Sequence, residues 1–303
     1  MSSLFIAKQK RSSPERAGLG LGLGMLAIAC FSVTLPVTRI GVTQIDPTVF
    51  GLGRSLLVLI PALLTLWWLR LPLPNRTQMK GLIIVALGVV IGFPWLSALA
   101  MESVSGAQAG IIVAVLPLFT AVAGAVLARQ RPSLGFWLVG LLGSVLVLWF
   151  VWDESRGGIS QGDLILLLAS MFCAVGYAAG GQLAKEIGSI AVICWALVLS
   201  APISVLILVS MSPEQNVDVS WQVWASFIYV ALVSQWLAFM FWYQGLALGG
   251  VVRVSQVQLL QPFLTFCVSA WLLSEVINSV MIWFALAVVA TVAVGRKMPI
   301  RES

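Results

Sequence analysis

The sequence predicts an all-α integral membrane protein of ten transmembrane helices, arranged as two inverted repeats of five helices. The composition, the spacing of apolar segments and an internal repeat support this fold class. Hydrophobic residues make up 60% of the 303 residues and charged residues only 9%, whereas soluble proteins contain about 25% charged residues. A soluble fold of this length cannot bury so much apolar surface, so we expect a lipid bilayer around the chain.

Ten apolar segments follow one another along the chain, each close to the roughly 20 residues that cross a hydrocarbon core of about 30 Å. The predicted spans are residues 18–40, 47–69, 79–100, 106–128, 134–152, 163–184, 189–211, 224–245, 251–273 and 277–295. Residues 1–17 are expected to form a cytoplasmic tail. They do not resemble a cleaved signal peptide, because the apolar run that follows is too long and lacks a small-residue cleavage site.

The distribution of basic residues predicts the orientation of the chain. Fourteen of the 17 Lys and Arg residues fall in the tail, in the loops on the same side or at the C-terminus, and one, Arg156, falls on the opposite side. The positive-inside rule therefore places both termini in the cytoplasm. This topology also explains the net charge of +6, so no nucleic-acid partner is expected. Short loops suit a bacterial cytoplasmic membrane.

The sequence offers no pattern for a metal, a cofactor or a catalytic centre. Histidine is absent, and Cys30, Cys173, Cys194 and Cys267 stand singly inside apolar runs. Zinc, haem and iron–sulfur sites need clustered ligands. No histidine or deep acid is present to activate a serine or cysteine, so we expect no enzyme activity.

The two halves of the chain match each other at a nearly constant shift. At a shift of 141 residues Trp95 meets Trp236, and at a shift of 145 Pro117 meets Pro262. Each copy holds five predicted spans, an odd number, so the second copy must enter the membrane from the opposite side. Such inverted repeats are a common plan of secondary transporters.

The matching segments predict a first repeat over residues 18–152 and a second over residues 153–303. Together they are expected to form a single transmembrane domain.

Three stretches carry a family resemblance: PTVFGLGRSLLVLIPALL, ALAMESVSGAQAGIIVAVLPLFTAVAGAVLARQRP and VSQVQLLQPFLTFCVSAWLLSEV. They resemble the drug/metabolite transporter superfamily, specifically its EamA-type members, and the resemblance covers nearly all of residues 18–295. One departure is Gln130, which replaces an acid that often ends the fourth span, whereas Glu275 keeps the acid in the ninth. The resemblance implies an exporter of amino acids, metabolites or toxic compounds, with a central cavity formed by both repeats.

Two basic residues lie in or near predicted spans. Arg54 is inside the second span and Arg39 is close to the outer end of the first. A charge in the membrane costs several kcal/mol unless it is paired or hydrated. Both residues are therefore candidates for binding a substrate carboxylate. The alternatives are snorkelling to the outer headgroups and pairing with Asp46, Glu102 or Glu275.

Gln258 and Gln261 are candidate substrate-binding residues of the ninth span. They share a helix face with Thr265 by three- and four-residue spacing. Amides at this density are not expected to face lipid, so they either face the cavity and bind a polar substrate or join neighbouring helices through hydrogen bonds.

An aromatic stripe of Trp236, Phe239 and Tyr243 follows helical spacing in the eighth span. With Trp95 and Tyr177, this stripe is a candidate lining for a cavity that holds apolar, aromatic or ammonium-bearing ligands. Anchoring at the membrane interface is the alternative for the tryptophans.

Pro36, Pro117 and Pro262 lie inside predicted spans. An intramembrane proline leaves the carbonyl four residues earlier without its helix partner and bends the backbone. The equivalent positions of Pro117 and Pro262 in the two repeats favour a shared hinge, with simple packing kinks as the alternative.

The resemblance and the repeat together favour export of a small-molecule substrate by alternating access. A passive channel or facilitator for small solutes is the second hypothesis, and an intramembrane enzyme is the third. The oligomeric state stays open, with a homodimer as one alternative.

Overall fold

The chain is almost entirely helical in the computed structural model, which describes residues 14–127, 131–154, 160–212, 218–249, 254–295 and 300–301. Two strands of two residues each, β1 (Arg131–Pro132) and β2 (Ile300–Arg301), pair antiparallel near the ends of the two halves. Most of the predicted tail, residues 1–13, and Gln130 lie outside the described residues.

The first half of the chain contains eight α-helices and one π-helical segment among its described residues. In chain order these are α1 (Pro14–Gly41), α2 (Pro47–Leu57), α3 (Leu59–Trp68), α4 (Arg76–Val85), a π segment (Ala86–Gly92), α5 (Phe93–Ala100), α6 (Gly106–Val113), α7 (Leu116–Leu127) and α8 (Leu134–Glu154). The first helix begins four residues before the predicted span, because Pro14 and Glu15 both suit a helix N-terminus.

The second half repeats this pattern with fewer interruptions among its described residues. Its elements are α9 (Gln161–Ile187), α10 (Ser189–Met211), α11 (Trp221–Ile228), a π segment (Tyr229–Leu237), α12 (Ala238–Gly249), a 3-10 segment (Ser255–Leu260), α13 (Gln261–Leu273) and α14 (Ser279–Gly295).

The helices have the length and surface of membrane spans. Within the part of the chain that the structure describes, seven helical stretches are long and apolar enough to cross a membrane. Shorter apolar helices cover Trp137–Phe150, Val257–Leu273 and Ser279–Thr291. Large apolar side chains remain on the outside, with Trp67 79% and Trp271 81% exposed, and such a surface fits lipid. The predicted class, an all-helical membrane protein, is confirmed.

The fourth and ninth predicted spans are interrupted in the structure. The helix α6 ends at Val113 and α7 begins at Leu116, while the 3-10 segment ends at Leu260 and α13 begins at Gln261. Pro117 and Pro262 are each the second residue of the new helix, where the missing N–H of proline has no helical acceptor to lose. Each of these prolines therefore lies in the first turn of an α-helical segment, at a change of helix geometry within a longer helical stretch.

The two π-helical segments lie in the third and eighth spans and contact each other directly. The side-chain amide of Gln235, in the second segment, donates to the Val89 carbonyl oxygen of the first at 3.0 Å. A π turn inserts one residue into the helix and is frequent at functional sites. Neither segment was predicted from the sequence.

Pro36 lies inside α1, and the carbonyl that it leaves without a helical donor is paired with another helix. This proline cannot donate to the Ser32 carbonyl oxygen, and Thr265 of α13 donates its hydroxyl to that oxygen at 3.3 Å instead. Both side chains are almost completely buried. The bond therefore joins a helix of the first half to one of the second.

We expect Thr265→Val to lower the free energy of unfolding by about 1 kcal/mol, the net value of a typical buried hydrogen bond. In a Pro36→Ala background the helix itself can supply an N–H to the Ser32 carbonyl, so the same substitution should cost less. Apparent melting temperatures of the four proteins in detergent measure this difference. An equal cost in both backgrounds would contradict the pairing.

Candidate functional site

A small cavity lies between the two halves of the chain. Its volume, counted as the space open to the centre of a water molecule, is about 20 Å³, which is enough for one or two waters. Both halves contribute residues to its wall. The wall includes, from the first half, Phe31, Thr34, Arg54, Val89, Phe93 and Leu116 and, from the second half, Tyr177, Ser234, Gln235, Phe239 and Gln261. The cavity is thus small, and both halves form its wall.

Several polar side chains of the wall bridge the two halves. The hydroxyl oxygens of Thr34 and Ser234 are 2.7 Å apart and form a hydrogen bond between α1 and the second π segment. Gln235 binds the Val89 carbonyl oxygen. Each of these two hydrogen bonds joins a residue of the first half to a residue of the second. Movement of one half against the other would therefore break them.

Arg54 is the charged residue of this cavity wall. It lies near the C-terminus of α2, whose N-terminus is capped by the Asp46 carboxylate through the N–H groups of Thr48 and Val49 at 2.7 and 3.3 Å. The Arg54 side chain is 2% exposed, and its Nε and Nη1 atoms have no hydrogen-bond partner among the described residues. A buried guanidinium without partners is costly, so this side chain is available to a ligand.

The acids predicted as alternative partners of Arg54 are engaged or exposed. Asp46 caps α2, the Glu102 side chain is exposed, and Glu275 binds the start of α6. The described lining of the cavity contains no Asp or Glu. Arg54 therefore gives the cavity a positive potential that no carboxylate in its wall neutralises.

Glu275 joins the two halves at one end of the helices. Ser274 adopts a left-handed conformation with φ 53°, which ends α13 and turns the chain. The two oxygens of the Glu275 carboxylate then accept the N–H groups of Gly106 and Ala107, both at 2.8 Å. Ser105 accepts the next N–H, that of Gln108, at 3.1 Å. The first three N–H groups of α6 are thus satisfied.

Aromatic rings form a cluster against the cavity. Ring centroids lie 5.0 Å apart for Phe31 and Phe239, 5.8 Å for Tyr177 and Phe239, and 5.5 Å for Tyr177 and Trp242. Phe31, Tyr177 and Phe239 face the cavity, whereas Trp242 and Tyr243 support them from behind and are fully buried. Edge-to-face packing of this kind stabilises the cluster.

Comparisons with known proteins decide the family. The model of the EamA-like transporter family matches the chain twice, over residues 18–152 and 160–295. This chain belongs to the EamA-like transporter family. It is a multi-pass membrane transporter, and the family predicted from its sequence is confirmed.

A relative and a solved structure agree with this assignment. The uncharacterized transporter YdeK of Bacillus subtilis (strain 168) is 36% identical over 276 residues, which cover 90% of this chain and 96% of the relative. A solved crystal structure matches with a TM-score of 0.63 at 19% identity and covers 94% of this chain and 98% of its own. The likeness to the solved structure shows that the two chains share a fold.

The structure brings together some of the predicted site residues of this EamA-like transporter. Arg54, Tyr177, Phe239 and Gln261 line the cavity. Tyr243 stacks behind Phe239, with ring centroids 5.6 Å apart.

The other predicted residues lie outside the lining of this cavity. Trp95 donates its indole N–H to the Thr48 hydroxyl at 3.3 Å, and Arg39 donates to the Met101 carbonyl oxygen. Trp236 lies beside Cys194. Gln258 is 2% exposed, and both of its amide atoms lack a hydrogen-bond partner among the described residues.

Sequence reasoning missed several residues of the wall. No charge or motif distinguished four of them in the sequence: Phe31, Phe93 and the bridging pair of Thr34 and Ser234. Gln235 offered a signal, since it is an amide next to Trp236 in an apolar span.

The sequence did not predict that an acid at the start of α9 is buried. Asp163 is 0% exposed and accepts the Gln108 side-chain amide at 2.8 Å and the Ser160 hydroxyl at 2.6 Å.

Proposed function

We propose that this chain is a secondary transporter that exports small organic solutes by alternating access. The observation that carries the proposal is the small cavity whose wall comes from both halves and contains Arg54, whose Nε and Nη1 have no partner among the described residues. In carriers built from two repeats, the substrate site lies at the interface between the repeats.

The repeat relation supports alternating access. Phe93 and Ser234 are 141 positions apart and both line the cavity, as do Leu116 and Gln261, which are 145 positions apart. We therefore infer that the cavity lies on the pseudo-two-fold axis of two inverted repeats, residues 18–152 and 153–303. In this arrangement the three shorter apolar helices also cross the bilayer, to make ten spans.

The interruptions at equivalent positions are the proposed hinges. The breaks before Pro117 and Pro262 both border the cavity, and Pro36 bends the helix that carries Phe31 and Thr34. A helix break absorbs changes in backbone angle without the loss of a regular hydrogen bond, which suits gating at these points.

The proposed orientation follows the basic residues, with both termini in the cytoplasm of a bacterial cell. Glu275 and Ser105 then lie at the outer end of the cavity. The substrate-binding set consists of the lining residues Arg54, Tyr177, Phe239 and Gln261, with Tyr243 as support.

Counterflow in liposomes tests the proposal. Vesicles with the purified protein are loaded with amino acids, aromatic carboxylates or cationic compounds, and uptake of a radiolabelled trace is followed with and without a pH gradient. Saturable counterflow of at least one compound is expected. Linear flux without counterflow would indicate a channel and overturn the carrier.

A matched pair of variants locates the site. We expect Gln261→Leu to lower counterflow severalfold, because it removes a polar group of the cavity wall. Gln222→Leu, at an exposed position of α11, should leave counterflow unchanged. Equal effects of the two substitutions would remove Gln261 from the site.

A further inference from the structure

We propose that the cavity selects small organic monoanions: compounds with one carboxylate, an apolar or aromatic body and no free ammonium group. The inference rests on the proposed transport function and narrows the substrate class. It depends on the charge balance of the cavity wall, on the donors around Arg54 and on the aromatic cluster.

The charge balance favours an anion. Arg54 is 2% exposed, and its Nε and Nη1 have no partner in the part of the chain that the structure describes. The described cavity lining has no carboxylate. A guanidinium offers a planar fork of N–H donors that matches the two oxygens of a carboxylate. Binding one carboxylate would supply the missing partners and neutralise the buried charge.

The same balance disfavours an ammonium group and therefore a free amino acid. An ammonium is best stabilised by a carboxylate, and none lines the described part of this cavity. The acids Asp163 and Glu275, which are buried and half-buried elsewhere, are already engaged. Asp163 accepts the side chains of Gln108 and Ser160, and Glu275 accepts the first two N–H groups of α6. A cation in the cavity would approach Arg54 at low dielectric without a compensating negative group.

Further polar groups can complete the binding of a carboxylate. Thr34, Ser234 and Gln261 line the same cavity as Arg54, and hydroxyl and amide groups can donate to an anion. The Thr34 and Ser234 hydroxyls form one hydrogen bond with each other. The hydroxyl that accepts this bond can turn its own proton toward a ligand and keep its partner.

The rest of the wall fits an apolar body. Phe31, Tyr177 and Phe239 present rings to the cavity, and aromatic or branched aliphatic groups pack well against such rings. The small volume of the cavity means that the helices must separate to admit the ligand, so compact monoacids are favoured over extended ones.

A series of probes with one body and different charges tests the inference. Phenylacetate is the anion, phenylacetamide the neutral form, phenethylamine the cation and phenylalanine the zwitterion, and benzoate and 3-methylbutanoate extend the carboxylates. Binding is measured with the full-length protein in detergent by thermal shift and in liposomes by competition for counterflow. The best carboxylate should compete at a concentration at least about tenfold below its amide, amine or amino-acid analogue.

Arg54→Met identifies the residue responsible, because methionine keeps an unbranched chain and removes the charge. This variant should lose the preference for the carboxylate over its amide, whereas Lys80→Met, at an exposed position of α4, should keep it. The apparent melting temperature of ligand-free Arg54→Met should equal or exceed that of the wild type, since an unpartnered buried charge is removed. A marked loss of stability would show that Arg54 has a structural partner and would overturn the inference.

The outcomes separate the two proposals. Counterflow of cations or zwitterions in preference to carboxylates would overturn the inference and leave the carrier in place. If none of the carboxylates in the series binds, the inference is likewise overturned and the carrier stays in place. Carboxylate binding with linear flux and no counterflow would support the anion site and overturn the carrier.

Discussion

Gly20→Ala should destabilise the protein by about 1–3 kcal/mol, the usual cost of overpacking a tight contact. A Cβ atom at Gly20 of α1 would lie 2.6 Å from the backbone nitrogen of Gly249 and 2.8 Å from its Cα atom, in α12. A Cβ at Gly245 would likewise lie 2.8 Å from the Gly20 carbonyl oxygen. Neither backbone can yield locally, so the two helices would have to move apart.

Gly22 provides the matched control in the same helix. It is exposed, and a Cβ built on it would meet nothing within 4 Å. Gly22→Ala should therefore leave the apparent melting temperature unchanged or raise it slightly, because alanine is the better helix former. Equal shifts for the two variants in detergent would contradict close packing of α1 on α12.

Glu275→Gln should open the proposed outer end of the cavity. The carboxylate accepts two N–H groups of α6 in this structure, whereas the amide of glutamine has one acceptor oxygen. Loss of a charged hydrogen bond costs about 1.5–3 kcal/mol. If the bond exists in the closed state alone, this shifts the population of the open state by about 10- to 100-fold.

Chemical labelling measures this shift. In a background with the four natural cysteines replaced by alanine, Ser234→Cys places a thiol in the cavity wall, and a membrane-impermeant maleimide is added from outside. Glu275→Gln should raise the labelling rate at least about tenfold. Glu102→Gln, at an exposed site of the same end, should not change it. Equal rates in the two variants would show that Glu275 does not hold the outer end closed.

The aromatic stripe of the eighth span illustrates why part of the site was not predictable. Helical spacing placed Trp236, Phe239 and Tyr243 on one face. In the structure Trp236 belongs to the π segment that ends at Leu237, whereas Phe239 lies in the α-helix after it. Gln235 and Phe239, four residues apart, share the face that lines the cavity, and Trp236 lies about 100° away from Gln235 around the helix. Helical spacing alone could not tell which of these neighbouring faces meets the cavity.

Arg54 is a contrasting case, because its importance could be predicted before its surroundings were known. An arginine in an apolar span is costly in any arrangement of helices, which made it a candidate from the sequence alone. Whether a carboxylate pairs with the Arg54 guanidinium depended on how other segments of the chain fold around it. The structure settles this point for the described residues, because Asp46 and Glu275 bind backbone N–H groups elsewhere.

The sequence by itself determined that this chain is a membrane protein, where its apolar helices lie and to which family it belongs. These properties follow from local composition and from the order of residues along the chain, which folding does not change. Only the tertiary structure decided which side chains share the cavity, that α1 packs against α12 through glycines, and that Glu275 binds α6. These contacts join residues far apart in sequence, and their geometry depends on helix breaks and π segments that rotate each face relative to the next.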